Sequence, residues 1–342
     1  LPKEVVSMIK VLVTGGAGYI GSHVVKRLAG ERCHVVVYDN LSTGFRENVT
    51  YGRLVVGDLN DRALLNRVMK RYKFDAVMHF AASIAVSESV ENPLQNYLNN
   101  VANTMNLLGA MNDNGINKII FSSTAAVYGA DNPHVNEDSP LAPINPYGQS
   151  KLMVEKILGD LSKAGQMNHV ILRYFNAIGA AADGTLGDRK EKGTHILGCC
   201  FRAARSGDKP FSVMGTDYNT PDGTCVRDYI NVEDIAEAHV LALCYLLNNN
   251  PSDVFNCGYG HGYSVLEFVD TVKKITGVDF SVAYADRRPG DIPELTADSS
   301  KIRAKLGWNP RYDNLEDTIH SAWEWERKKH YERSFYGYSQ TV

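Results

Sequence analysis

The run MIKVLVTGG at residues 8–16, followed at once by AGYIGSH, constrains this chain more than any other stretch. Its first half is apolar and β-branched, the composition of a strand buried on both faces. Glycines then recur as Gly16-x-Gly18-x-x-Gly21 and, overlapping, as Gly15-x-x-Gly18-x-x-Gly21, and an amphipathic helical pattern runs on through Leu28. A strand, a glycine turn and a helix in that order let backbone N–H groups approach a pyrophosphate at the helix N-terminus. The next strand-like run, HVVVYDN (34–40), carries Asp39 18 residues after Gly21. A carboxylate there accepts both adenosine ribose hydroxyls and repels a 2′-phosphate, which argues for NAD over NADP. Arg46, close by in sequence, is the residue that argues the other way.

Further strand-like runs follow at 53–58, 76–82, 118–123 and 169–176, with helical patterns at about 61–72, 93–113 and 146–164 between them. Strands alternating with helices imply an α/β fold: a doubly wound, parallel, Rossmann-type sheet covered on both faces, with ligands at the carboxyl ends of its strands. After residue 176 the composition shifts. Residues 179–228 are rich in Gly, Asp and Thr, with one helical patch around 194–206. A helix over 231–247 has Asn231 as its cap and Asp234 three residues on, the spacing of a capping box. A strand at 254–258, a helix at 264–277, the charged loop ADRRPGDIPEL (285–295) and two closing helices complete the chain. We therefore expect a cofactor-binding domain over 8–178, with 229–258 returning to it. A smaller C-terminal α/β substrate-binding domain is expected from 179–228 and 259–342, and residues 1–7 read as an N-terminal extension.

Composition excludes several classes. The chain has 342 residues, 44% hydrophobic and 22% charged, with a net charge of -3 and no basic tract, so nucleic acid and anionic membranes are poor partners. None of the six cysteines forms a Cys-x-x-Cys, which speaks against a zinc site or a disulfide framework and for reduced thiols in a cytoplasmic protein; no metal is expected. Asn48-Val49-Thr50 matches a glycosylation sequon, but no secretory signal accompanies it.

INPYGQSK (144–151) is the candidate reactive stretch. Asn145 can cap a helix and Pro146 suits its first position. Tyr147 and Lys151 then share one helix face. A cation beside a phenol lowers the phenol pKa from its usual ~10, which would make Tyr147 a general base for an alcohol proton. With 18 Tyr in the chain, a Tyr-x-x-x-Lys spacing arises about once by chance, so context has to decide.

That context is an ordered series: GGAGYIGSH, a strand ending in Asp39, HFAA (79–82), SSTAAVYG (122–129), PYGQSK (146–151), RYFNAIG (173–179) and GTCVRDYINVED (223–234). Together they resemble the extended short-chain dehydrogenase/reductase superfamily, and within it the UDP-glucose (UDP-galactose) 4-epimerases, from about residue 8 to 330. The resemblance implies Thr124, Tyr147 and Lys151 as the catalytic set. Tyr147 would take the sugar 4-hydroxyl proton, the C4 hydride would be held on NAD, and the 4-keto sugar would turn before the hydride returns to its other face. The superfamily's dehydratases carry Asp-Glu after the Ser/Thr; here Ala125 and Ala126 stand there, which argues against dehydration.

For NAD the resemblance implies Gly15, Gly18, Tyr19, Ile20, Asp39, Asn40, Asp58, Leu59, Phe80, Ala81, Ala82, Asn99, Ser122, Tyr147, Lys151, Tyr174 and Phe175. Several relatives carry a lysine to the cofactor phosphate where this chain has Ile84, which implies weaker cofactor retention. For the UDP-hexose it implies Thr124, Tyr147, Asn176, His195, Ile196, Met214, Arg227, Arg288, Asp291 and Leu295. The two arginines would clamp the diphosphate. Leu295 stands where some relatives have a bulky Tyr, implying room for UDP-GlcNAc and UDP-GalNAc. The helices at about 93–113 and 146–164 would pair with a second copy as a homodimer, although Leu152, Ile157, Leu158 and Leu161 could equally be buried within one chain. Two other readings stay open: a related nucleotide-sugar 4-epimerase or decarboxylase acting on a pentose or uronic acid, and a non-catalytic NAD-sensing protein.

Overall fold

Apolar β-branched runs alternating with amphipathic helices build a seven-stranded, wholly parallel sheet in the computed structural model of this chain. The structure describes residues 8–336 except positions 32, 130, 131, 191, 192, 194, 208 and 289, and leaves out the side chains of 332–336. The expected extension at 1–7 lies outside the described residues. The strands are β1 (Ile9–Thr14), β2 (Cys33–Asp39), β3 (Arg53–Val56), β4 (Ala76–His79), β5 (Lys118–Thr124), Asn168–Tyr174 and Asp253–Cys257. From edge to edge the order is Asp253–Cys257, Asn168–Tyr174, β5, β4, β1, β2, β3, each neighbouring pair parallel. The order reverses at β1, which lies between β2 and β4. Ligands bind such sheets in the crevice outside the carboxyl ends of the strands at this switch point.

Strand alternation divides the core between the two faces. Val11, Val13, Val35 and Val37 face helix α1 (Tyr19–Ala29) and the helix Val232–Leu247, in one cluster with Val24, Leu28, Ile235 and Leu243. Leu12, Val36 and Val77 face the other way, in a cluster with Leu65 and Met69 of α2 (Arg62–Tyr72), Leu107, Met111 and Leu158. Fully burying each such side chain is worth roughly 1.5–3 kcal/mol. Both faces are covered, as the doubly wound reading requires.

Local chemistry sets the helix ends. Asp61 accepts from the Leu64 N–H at 2.9 Å to start α2, and Asn145 accepts from the Gly148 N–H at 2.8 Å to start the helix Pro146–Lys163. Ser264 and Glu267 form a reciprocal capping box. At Asn231 the expectation is only half met. Asn231 caps its helix, but the Asp234 carboxylate turns away and accepts from the N–H groups of Arg311 and Tyr312 and the hydroxyl of Tyr259. A backbone donor pair from the C-terminal segment outcompetes the single N–H of a capping box, so Asp234 ties that segment to the large sheet.

The helix expected over 93–113 is interrupted. Pro93–Tyr97 passes through a π-helical turn, Leu98–Ala102, before Asn103–Asp113 continues it. Such turns re-aim side chains and recur at functional sites. Here Asn100 donates to the Ser83 carbonyl and to the Ser150 hydroxyl, both at 3.0 Å. It thereby joins the loop after β4 to the helix that carries Tyr147 and Lys151.

The smaller region is built from short strands. Tyr263–Ser264, Val226–Arg227, Glu294–Ala297 and His134–Val135 form one sheet. Phe211–Met214 pairs with Val282–Ala285, and Asn176–Ile178 with Tyr229–Asn231. His134–Val135 comes from the first half of the chain. Ile302 and Trp308, expected with the smaller region, belong instead to the core of the large sheet. All six cysteines are free thiols. Among the described residues no helix is long and apolar enough to cross a membrane.

Candidate active site

The glycine turn between β1 and α1 is packed so closely that only glycine fits. Gly15 has φ +73°, and a Cβ on it would lie 2.4 Å from the Ala81 nitrogen; one on Gly21 would lie 2.4 Å from the Gly15 carbonyl oxygen. α1 begins at Gly18 with no side-chain cap, so its first N–H groups face an open cleft of about 340 Å³. Asp39 is buried on the cleft wall. Its two oxygens accept from the N–H groups of Ala17 (2.9 Å) and Leu41 (2.8 Å), which aims the carboxylate and leaves lone pairs for diol hydroxyls. Beside it the Asn40 amide donates to Asp58 at 2.7 Å. An uncapped helix N-terminus and a fixed carboxylate on one elongated cleft fit NAD. All seventeen residues expected to bind it line this cleft.

At the other end of the cleft Thr124, Tyr147 and Lys151 come together. Thr124 ends β5, accepts from the Ala126 N–H at 3.1 Å and is hydrogen-bonded to the Tyr147 phenol. Lys151 is buried. Its ammonium donates to the Ser122 carbonyl at 2.8 Å and lies 4.9 Å from the centre of the Phe121 ring. Burial pulls Lys151 down to about 7, against the nearby Glu155 carboxylate. Burial also pushes Tyr147 up to about 12, with the Thr124 hydrogen bond offsetting part of the rise. The expectation that the Lys151 cation draws the phenol pKa down is not met: desolvation governs both groups. Tyr174 closes this end through a short hydrogen bond to Ser122.

A second cavity of about 750 Å³ adjoins the first, sharing His195 and Ala177 with it. Asn176, Ile196, Met214, Arg227, Arg288 and Asp291 line it with His195. Asp291 lies between the two arginines, 3.2 Å from the Arg288 Nε and 4.0 Å from an Arg227 terminal nitrogen. Thr124 and Tyr147 line the first cavity and not the second. His195 has a local structural role: its Nδ1 accepts from the Gly198 N–H at 3.3 Å to cap the helix Ile196–Ser206, and its Nε2 meets Asp188 at 2.6 Å. Leu295 lines neither cavity. Its apolar side chain is buried in a cluster with Ala125, Val127 and Phe175, behind the wall.

The cleft also takes in residues that motif reading missed: Ser42, Thr43, Gly44, Asn103 and Lys190. A small polar run directly after Asp39 could have signalled the first three. Nothing in the local sequence marks Lys190, whose place depends on a loop folding back from the smaller region.

Comparison with known proteins agrees with this geometry. The model of the NAD dependent epimerase/dehydratase family matches residues 11–258. The UDP-glucose 4-epimerase of Azospirillum brasilense is 50% identical over 320 residues, covering 93% of this chain and 92% of that protein. Among solved structures, a UDP-glucose 4-epimerase from Brucella ovis in complex with NAD is 44% identical with a TM-score of 0.88, covering 93% of this chain and 98% of the other. The UDP-Glc/GlcNAc 4-epimerase of Campylobacter jejuni is 48% identical with a TM-score of 0.81, covering 94% and 99%. With a glycine-turn cleft, a Thr-Tyr-Lys end and a matching family model over most of its length, the chain belongs to the NAD dependent epimerase/dehydratase family.

Proposed function

We propose that this chain interconverts UDP-glucose and UDP-galactose by reversible epimerisation at C4, using bound NAD. The observation that carries the reading is the junction of the two cavities. The Thr124–Tyr147–Lys151 group lines the dinucleotide cleft, and a cavity bearing two arginines adjoins that cleft at Ala177 and His195. Tyr147 takes the 4-hydroxyl proton, and Thr124 holds the 4-oxygen. Lys151 holds positive charge beside them. Bound NAD supplies a hydride acceptor and, when oxidised, a positive charge that favours the phenolate which burial disfavours. Arg227 and Arg288 hold the substrate diphosphate, so the 4-keto sugar can turn about its link to the diphosphate while the nucleotide stays fixed. Net redox is zero. Ala125 and Ala126 provide no acid to expel a hydroxyl, which separates this reading from dehydration.

The Campylobacter jejuni relative, named for both UDP-Glc and UDP-GlcNAc, supports a wider sugar range. A short Leu295 buried behind the wall places no bulk in the cavity. Exposed apolar side chains on the helical stretch 93–113, with Leu94 at 72% and Met105 at 55% exposure, support a homodimer through this face. Leu152 and Leu158 belong to the chain's own core. Purified protein, denatured, should release NAD, and native protein should convert UDP-galactose to UDP-glucose; absence of both overturns the reading. Turnover of UDP-galactose without UDP-GalNAc rejects the wider range. A monomer by sedimentation rejects the dimer.

A further inference from the structure

We propose that Lys190 supplies the mobile positive charge over the cofactor pyrophosphate. This inference rests on the reading of the cleft as an NAD site. A pyrophosphate carries two negative charges, and the glycine turn offers it only N–H groups. Among the described residues the cleft wall bears two lysines, Lys151 and Lys190, against the carboxylates of Asp39 and Asp58. Lys151 is held in the interior by the Ser122 carbonyl at the Thr124–Tyr147 end. Ile84, on the wall of the same cleft, contributes no charge. That leaves Lys190, which also lines a small neighbouring cavity with Tyr19, the first residue of α1.

The segment that carries Lys190 is tied to the glycine turn on both sides. Asp188 accepts from the Lys190 N–H at 3.0 Å and pairs with the His195 ring at 2.6 Å. Arg189 donates through Nε to the Asn48 side-chain Oδ1 at 2.8 Å, and the Asn48 side-chain Nδ2 donates to the Ala17 backbone carbonyl at 3.0 Å. The Arg189 guanidinium also stacks 4.9 Å over the Trp325 ring. A chain of contacts thus runs from Ala17 in the glycine turn to Arg189, next to Lys190. Its backbone is fixed by the Asp188 carboxylate, on which the Lys190 charge also acts, while the ammonium lines the cleft. A cation so placed lowers the escape rate of a dianion without entering the chemistry.

The test is retention of cofactor, not turnover. Holoenzyme of the wild type, Lys190→Ala and Lys190→Arg is dialysed for the same time at low and at high salt, and the NAD left per protomer is assayed after denaturation. Lys190→Ala should lose NAD about tenfold faster, and Lys190→Arg should stay near wild type. High salt should speed loss from the wild type more than from Lys190→Ala. Equal retention in wild type and Lys190→Ala overturns the proposal. So does a Lys190→Ala variant with normal retention and a raised KM for UDP-galactose, which would assign the lysine to the substrate diphosphate. A wild type that neither holds nor binds NAD overturns the function reading together with this one, whereas a wild type that holds NAD separates the two.

Discussion

The two cavities hold their ligand-facing groups by different means. The cofactor cleft is walled by strand ends and a glycine turn, and its shape comes from backbone: Gly15 against Ala81, Gly21 against the Gly15 carbonyl. The second cavity is walled by short strands and loops, and its polar groups are held by one another: Asp291 between Arg227 and Arg288, His195 between Asp188 and the Gly198 N–H. A backbone-built wall is rigid and tolerates no added atom. A wall built from paired side chains can exchange those pairs for a ligand. The first suits a group that stays, and the second a group that comes and goes.

The sharpest way to break this contrast is at the Thr124–Tyr147–Lys151 group. Tyr147→Phe removes the phenol oxygen proposed to take the 4-hydroxyl proton, so turnover should fall by about a thousandfold or more, while NAD content and melting temperature stay near wild type. Substantial activity in that variant would remove Tyr147 as the base. Next in size is Gly15→Ala. With φ +73° and a Cβ 2.4 Å from the Ala81 nitrogen, it should cost about 2–4 kcal/mol of stability and most of the bound NAD. If the variant melts and retains cofactor like the wild type, the cleft is not rigid in the sense argued here. Arg227→Ala should act on the other cavity alone, raising KM for UDP-galactose about 10- to 100-fold with NAD retention unchanged. Loss of NAD in this variant would mean that the two cavities do not act separately.

A separate effect, on stability and not on turnover, concerns the sheet that carries the cleft and the helices packed on it. His23, His79 and His239 are buried, and burial lowers His23 and His239 to about 4 and His79 to about 3. These groups stay neutral in the folded chain while the unfolded chain protonates them near 6.5, so the unfolded state binds more protons on acidification. Stability should be full above about pH 7 and fall as pH drops from 6.5 toward 4, by about 1–2 kcal/mol per imidazole by pH 5. Urea titrations at pH 7.5 and 5 read this directly, and an unchanged midpoint would contradict it.

The same division explains how much could be read in advance. Gly15, Gly18 and Asp39 act through local geometry, one turn and one strand end, so spacing alone exposes them. Tyr147 and Lys151 share a capped helix whose start is written in Asn145 and Pro146. The π turn at Leu98–Ala102 is not visible in the periodicity, because its register is set by Asn100 reaching Ser83 and Ser150 from another element. Asp234 mimics a capping box and is claimed by donors about 77 residues away. His195 and Lys190 depend on a returning loop, and Leu295 on which side of a wall an apolar side chain finds burial. Where the partner is distant, residue type and spacing underdetermine the contact.

Asn48 shows one such contact with a further consequence. It stands in a glycosylation sequon, yet its side chain is 1% exposed and bridges the Ala17 carbonyl to Arg189. A glycan on that nitrogen would have to replace the bridge, so a chain modified there before folding would lose the strut that links the phosphate-binding turn to the loop above it. Expression through a secretory route would thus yield a protein altered at its cofactor site by a modification far from any catalytic side chain, and Asn48→Asp would not substitute for it, since a carboxylate keeps the acceptor for Arg189 but has no donor for Ala17.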